Sequence, residues 1–211
     1  MEQHIKIAVI GGTGKAGKYL VNQLVNNGFN SKVLLRNPDK LEITSHLIEK
    51  VTGDVRNYES VYSLIEGCSA VISTLGQTKG ESPVFSQATV NIIKAMNALN
   101  VHRYIMITGL TLDTIHDNKS FRTRLLSKIM KLSFPDIIAD KQKEYSFLSA
   151  SNLNWTVIRL PVIKQTKSSG EIKISLTDCP GKIISSTDLA NFLISQLSDD
   201  NFIRKTPFIA N

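Results

Sequence analysis

The residues best suited to chemistry stand near the start of the chain, in Ile10-Gly11-Gly12-Thr13-Gly14-Lys15-Ala16-Gly17. Gly12, Gly14 and Gly17 fit the spacing GxGxxG, and Gly11, Gly14 and Gly17 fit the variant GxxGxxG. An apolar run precedes the glycines and a helical pattern follows, which is the setting in which such a turn cradles a pyrophosphate. Gly11 or Gly12 allows the sharp reversal, Gly14 lets the backbone approach the phosphates, and Gly17 permits close packing of helix on strand, with the helix amino terminus facing the anion. Thr13, Lys15 and Ala16 complete the turn and are expected to contribute with it. A phosphate loop of the Walker type is excluded, because Gly14-Lys15 is followed by Ala16 where a Ser or Thr must reach magnesium. The second candidate is Arg36, at the end of the second apolar run. A fold that prefers NAD places Asp or Glu there to bond the ribose hydroxyls, whereas an arginine can clamp the 2′-phosphate of NADP, with Lys40 adding charge. The alternative is an arginine that only solvates a strand end.

These residues need a scaffold, and the hydrophobic pattern supplies one. Short β-branched runs at residues 5–10, 33–35, 48–51, 70–74, 103–108 and 155–160 read as strands. Between them, apolar spacing of three to four residues marks helices: Ala16 to Val25 with a stop at Gly28, a turn or two around Val61, Leu64 and Ile65, and a long helix over 84–99. A basic amphipathic helix follows over 119–131, then one opened by Pro135 and running to about residue 150. A polar stretch at 164–170 reads as a loop, Ser185 to Asp188 begin a last helix through Leu197, and residues 207–210 can add an edge strand. Strands alternating with helices imply parallel strands joined by right-handed crossovers. The expected fold is a doubly wound parallel sheet of the Rossmann type, in one NAD(P)-binding domain spanning residues 1–211.

Composition narrows the possibilities. With 211 residues, 42% hydrophobic and 20% charged, the chain can bury a sizeable core. Cys68 and Cys179 show no CxxC spacing, and His4, His46, His102 and His116 form no metal-ligand pair, so neither a disulfide framework nor a metal centre is signalled. No run is long and apolar enough for a membrane span or a signal peptide, so a soluble, cytoplasmic protein without a membrane partner is expected. The net charge of +7 favours a polyanion, which a phosphorylated cofactor satisfies as well as nucleic acid does. No nucleic-acid motif is present. Lys119, Arg122, Arg124, Lys128 and Lys131, interleaved with apolar residues, read as a solvated basic helix face. The expected partner is a small-molecule substrate, with the protein a monomer or small homo-oligomer.

Beyond these elements, the chain resembles a family. The glycine turn, Gly53-Asp54-Val55, Ser73-Thr74-Leu75-Gly76, Asn154-Trp155-Thr156-Val157-Ile158-Arg159-Leu160-Pro161 and Ile184-Ser185-Ser186-Thr187-Asp188-Leu189-Ala190 together resemble an atypical short-chain dehydrogenase/reductase. That group includes NmrA-like proteins and the flavin and biliverdin reductase relatives. The resemblance implies that Asp54 and Val55 lie beside the adenine, and that Ser73, Thr74, Leu75 and Gly76 run along the cofactor toward the nicotinamide.

Catalysis departs from the pattern. Many members of the wider superfamily use Tyr-X-X-X-Lys, and none of the five tyrosines here has a lysine four residues on. At the nearest match, Ile137 to Lys141, isoleucine replaces the tyrosine. A serine pair common near the end of the fifth strand is represented by Thr108 and Gly109. On the helix after Pro135, ~100° per residue puts Ile137, Lys141, Glu144 and Leu148 on one stripe. A lysine and a glutamate on an apolar face must reach water, each other or a ligand. Thr108 and Lys141 are therefore the candidates for polarising group or proton relay. The expected activity is NADPH-dependent hydride transfer to a flavin, quinone or tetrapyrrole. The rival is a non-catalytic NADP(H)-binding redox sensor that regulates a partner protein, and a nucleotide-sugar isomerase is disfavoured by the short carboxyl-terminal portion.

Overall fold

The structure is a computed structural model describing residues 5–166 and 170–211. Strand β1 (Lys6–Ile10) is buried at every residue after the first, so it reads as a continuous apolar run rather than an alternation. Helix α1 (Gly17–Asn26) turns Leu20, Val21 and Leu24 onto the sheet, and Gly28, at φ +75°, releases the chain into β2 (Asn30–Leu35). After a 3-10 turn at Pro38–Lys40 come β3 (Ile48–Thr52), α2 (Tyr58–Ile65), β4 (Ala70–Ser73), α3 (Phe85–Ala98) and β5 (Arg103–Gly109). The second half adds α4 (Phe121–Ser133), α5 (Pro135–Ala150), β6 (Asn154–Leu160), β7 (Val162–Lys164), β8 (Lys173–Ser175), β9 (Ile183–Ser185), α6 (Ser186–Ser195) and β10 (Phe208–Ala210).

The main sheet has the order β3-β2-β1-β4-β5-β6-β10-β8. Successive pairs are parallel except β10 with β8. Helices cover both faces. On one, Val61, Leu64, Ala88, Ile92, Met96 and Leu148 from α2, α3 and α5 pack on the sheet. On the other, Leu20, Val21 and Leu24 of α1 pack with Leu189 and Leu193 of α6. Strand order reverses between β1 and β4, so the crevice of a doubly wound fold opens at their carboxyl ends.

Three expectations need correction. Residues 207–210 do not form an edge strand: fully buried Phe208, Ile209 and Ala210 lie between β6 and β8, and β8 is the antiparallel edge. The stretch expected as a loop over 164–170 begins inside β7, which pairs with β9 in a separate two-stranded parallel sheet; residues 167–169 lie outside the described residues. Strands of three residues carry too little periodicity to announce themselves. Helix α4 keeps Arg122, Arg124 and Lys128 exposed, but Lys119, expected on the same solvated face, precedes the helix and is buried against Asp113 and Asp117. The helix buries Thr123 and Ser127 and exposes its large apolar side chains, with Ser120 capping its amino end by accepting from the Thr123 amide.

The glycines of the turn meet different neighbours. Gly11 makes the reversal at φ +80°, and a Cβ there would meet the Thr74 carbonyl at 2.6 Å. A Cβ on Gly12 would strike Val33 at 2.5 Å, and one on Gly17 would stand 2.0 Å from the Gly11 carbonyl oxygen. At Gly14 the nearest atom is 3.3 Å away. Gly17→Ala should therefore cost about 2 to 3 kcal/mol in urea unfolding, near the upper range for overpacking, while Gly14→Ala changes stability by less than about 1 kcal/mol. Equal effects at the two positions would mean that α1 does not sit down on the β1 turn.

Candidate cofactor cleft and active site

A cleft of about 880 Å³ opens at the carboxyl ends of β1, β2 and β4. Its floor is the glycine turn, held by hydrogen bonds rather than by packing alone. The Gly14 amide donates to the Gly11 carbonyl at 3.0 Å, while the Thr74 amide and hydroxyl donate to the Ile10 carbonyl at 2.9 and 3.2 Å. With the Thr74 hydroxyl also 3.2 Å from the Gly11 carbonyl, β4 and the turn form one rigid piece. Thr13, Gly14 and Lys15 are exposed above it. Of the thirteen residues expected to hold cofactor, Gly11, Thr13, Gly14, Lys15, Ala16, Arg36, Asp54, Val55, Thr74, Leu75 and Gly76 line this cleft. Gly17 and Ser73 do not. Gly17 supports the turn from beneath, and the Ser73 side chain is buried toward Tyr104 of β5.

At the far end of the cleft stands a charge cluster only half visible in the sequence. Arg36, just beyond β2, closes a fork on Glu81, its Nη1 lying 2.7 and 2.9 Å from the two carboxylate oxygens, and Nη2 donates to the Thr78 hydroxyl at 2.9 Å. Arg56 reaches the same carboxylate at 2.7 Å and Asp54 at 2.9 Å. The bonds from Arg56 and Arg36 hold the Glu81 carboxyl below its usual range. Arg56, Thr78 and Glu81 were not singled out by sequence, although Arg56 directly follows Gly53-Asp54-Val55. Glu81 gave no signal, since it sits in an irregular loop between β4 and α3 and meets the arginines only through the fold.

Neither candidate for catalysis lines this cleft. Thr108 lies near the end of β5, next to cleft-lining Ile107, and its buried hydroxyl has no hydrogen-bond partner among the described residues. Lys141 faces α3, its ammonium 3.7 Å from the centroid of the Phe85 ring and 3.9 Å from the Glu144 carboxylate. Burial pushes the Lys141 ammonium down and the Glu144 carboxyl up, each opposed by the charge of the other. The Thr89 hydroxyl donates to Glu144 at 3.2 Å. Phe85 and Ser86 are tied to the same helix by Asp140, which accepts from both their amides and from the Ser86 hydroxyl. The stripe of Lys141 and Glu144 read from the sequence thus exists, and the two side chains find each other.

The rim beyond β5 and β6 is fixed by one buried cation. Arg159 of β6 is fully buried, stacks 3.6 Å from the centroid of Phe208, and donates to the Thr206 and Leu176 carbonyls at 2.8 and 3.0 Å. Its remaining arm meets Asp117, which also accepts from the Thr114 hydroxyl and pairs with Lys119 at 3.2 Å. Burial pushes the Asp117 carboxyl up, but the bonds from Arg159 and Thr114 outweigh it and hold the group below its usual range.

An exposed glycine turn at the switch point of a doubly wound sheet, with Arg36 beyond β2 and Arg56 beyond β3, fits a nicotinamide dinucleotide, and the class of protein is an NAD(P)-binding Rossmann protein. The chain belongs to the NAD(P)H-binding family, whose pattern matches it over residues 11–200. Among curated proteins it is similar to an isoflavone reductase homologue of Nicotiana tabacum, 36% identical over 110 residues, covering 47% of this chain and 34% of the relative. The chain therefore spans about a third of that relative's length. Among solved structures it is similar to ChuY, described as an anaerobilin reductase, from Escherichia coli, with TM-score 0.81, 16% identity and 97% and 96% of the two chains covered. A short-chain dehydrogenase/reductase from Veillonella parvula, solved in complex with NADP, gives TM-score 0.79 at 15% identity over 98% and 94%. Among the described residues no helix is long and apolar enough to cross a membrane, and no three His, Cys, Asp or Glu side chains are grouped to hold a metal.

Because Gly14 is exposed and lines the cleft, and a Cβ there would meet only the Gly11 carbonyl oxygen at 3.3 Å, a carboxylate at this position should exclude the pyrophosphate by volume and charge with only a small adjustment of the turn. Gly14→Asp is expected to weaken NADPH binding at least ~100-fold in calorimetry with an unchanged melting profile. Near-normal affinity in the folded variant would remove this turn from the binding site.

Proposed function

We propose that this chain is an NADPH-dependent reductase that passes hydride to a small organic acceptor such as a flavin, quinone or tetrapyrrole. The observation that carries the cofactor choice is the pair Arg36 and Arg56, two guanidinium groups converging where a ribose 2′-phosphate would lie, with Glu81 now seated between them. A carboxylate held by two arginines marks an anion site, and a phosphate dianion would compete for the same donors. NADPH, when bound, supplies the hydride from its nicotinamide. The chain's own residues bind and orient: the glycine turn receives the pyrophosphate, Asp54 and Val55 border the adenine end, and Leu75 and Gly76 guide the molecule toward Ile107 and Ile163. Thr108 lies behind the cleft lining, one residue beyond Ile107, and is the candidate to polarise an acceptor carbonyl or nitrogen if the acceptor reaches past that lining. An acceptor that takes its proton from water tolerates the missing tyrosine, and a tetrapyrrole or isoflavone-like acceptor accords with the similar proteins named above.

A second reading, the NADP(H)-responsive regulator of a partner protein, is favoured by one observation: Lys141 is engaged by Glu144 and Phe85 rather than turned into the cleft. Turnover separates the two. NADPH oxidation at enzyme-like rates with any of flavin, quinone or biliverdin selects the reductase; binding without turnover across all three selects the regulator. If Lys141 relays a proton or positions the acceptor, Lys141→Ala should lower kcat about 10-fold or more with cofactor affinity changed less than about 3-fold. Unchanged turnover would leave it as half of a structural pair.

Cofactor choice gives the most quantitative test. Charge-assisted contacts to the 2′-phosphate contribute roughly 1.5 to 3 kcal/mol, or on the order of 10- to 100-fold in affinity, so NADPH should bind more tightly than NADH. The preference should shrink with added salt. Arg36→Asp should invert it, because an aspartate repels the phosphate and accepts from the ribose hydroxyls. Glu81→Gln, which removes the competing charge, should strengthen NADPH severalfold and leave NADH nearly unchanged. Equal binding of both cofactors by the native chain, or an Arg36→Asp variant that still prefers NADPH, would overturn the assignment to NADP.

A further inference from the structure

The least explained surface of the molecule is α4. Its 13 residues span roughly 20 Å. At ~100° per residue, Phe121, Leu125, Ile129 and Leu132 fall within an arc of roughly 80°, and buried Thr123 and Ser127 lie diametrically opposite. The usual arrangement is reversed: the small polar side chains pack inward and the large apolar ones face out. Phe121 is 78% exposed, Leu132 76%, Ile129 51% and Leu125 47%. Such a contiguous stripe costs free energy in water and marks a contact surface rather than scattered surface apolarity.

Charge identifies what covers it. Arg122 borders the stripe on one side and Lys128 on the other, with Arg124 beyond, and all three are exposed. The helix contains no Asp or Glu. Asp113 is already engaged by Lys119 and Lys131, and among the described residues no ion pair reaches Arg122, Arg124 or Lys128. A second copy of the chain docked here about a two-fold axis would set these cations against their own counterparts with no carboxylate on either helix to separate them. Nucleic acid would satisfy the cations but leave four large apolar side chains in contact with water. An anionic bilayer surface satisfies both sets at once. The stripe enters the acyl boundary, while the long basic side chains on its borders extend to the phosphates.

We propose that α4 is an interfacial helix that docks the protein, lying flat, on an anionic lipid surface. The helix does not span the bilayer, and the contact needs no change in the fold, since the stripe is already exposed. It departs from the expectation of a protein with no membrane partner, and it is independent of the cofactor assignment. The placement has a geometric consequence: α4 and the loop before it follow β5 at the carboxyl end of the sheet, the same side on which the cleft opens.

The test uses the whole chain and vesicles of phosphatidylcholine, alone or mixed roughly 7:3 with phosphatidylglycerol, in flotation assays. The native chain is expected to bind the mixed vesicles at least about 10-fold better than the neutral ones, with most binding lost in roughly 0.5 M salt. Leu125→Ser with Leu132→Ser should abolish binding, and so should Arg122→Glu with Lys128→Glu, each with unchanged melting because the altered side chains are exposed. Failure of the native chain to bind mixed vesicles overturns the proposal, as does undiminished binding by either double variant. So does a dimer in sedimentation that the leucine substitutions dissolve while vesicle binding stays absent, since the stripe would then belong to a second copy. The composition and salt dependence of the native chain decide the matter even if a variant folds poorly.

Discussion

A single close approach governs the cofactor half of this molecule: the first residue of α1 lies against the carbonyl of Gly11, with no room for a β-carbon between them. Because helix and turn touch backbone to backbone, α1 starts directly behind the carboxyl end of β1, and Thr13, Gly14 and Lys15 stay exposed above the turn. The Thr74 hydroxyl, bonded to the Ile10 and Gly11 carbonyls, carries the constraint across to β4. Strand β4 in turn leads into the loop that brings Glu81 over the arginines. The floor of the cleft and its charged end are thus set by one contact and the strand it leans on.

The parts of the fold that were legible in the sequence are those in which many residues repeat one pattern. Ile7 to Ile10, Leu20 with Val21 and Leu24, and Ile92 with Met96 announce buried strands and helix faces because each helix commits several side chains to one core, and β1 fills the cores on both faces of the sheet. The three-residue strands β7, β8 and β9 were illegible for the opposite reason. They are held by pairing with distant chain, not by local pattern, and Phe208 is central only because Lys173 to Ser175 return to cover it. In α4 the amphipathic period was visible, but its direction was not. Which face turns inward is set by tertiary packing, which buries Thr123 and Ser127 and leaves Phe121 and Leu132 outside.

The site divides along the same line. The glycine turn and Arg36 were readable because their chemistry resides in adjacent residues, and eleven of the thirteen expected positions line one cleft. Glu81 and Arg56 were not, since an ion pair between loops separated by 25 residues leaves no trace in either. The pairing of Lys141 with Glu144 shows a partial case. Spacing placed them on one face, and burial alone could not say whether they would serve each other or a ligand.

Arg159 also constrains how this protein can change over generations. A fully buried guanidinium whose three nitrogens are committed to Thr206, Leu176 and Asp117 binds together segments that lie far apart in sequence. A substitution at Asp117 would strand an unpaired cation in the core, and one at Arg159 would leave Asp117 and two carbonyls unmet. The rim segments around them are therefore not interchangeable parts. A loop borrowed from a relative can be accepted here only if it brings its own carboxylate to the same point, so diversification of this rim is bound to proceed by exchange of the whole set.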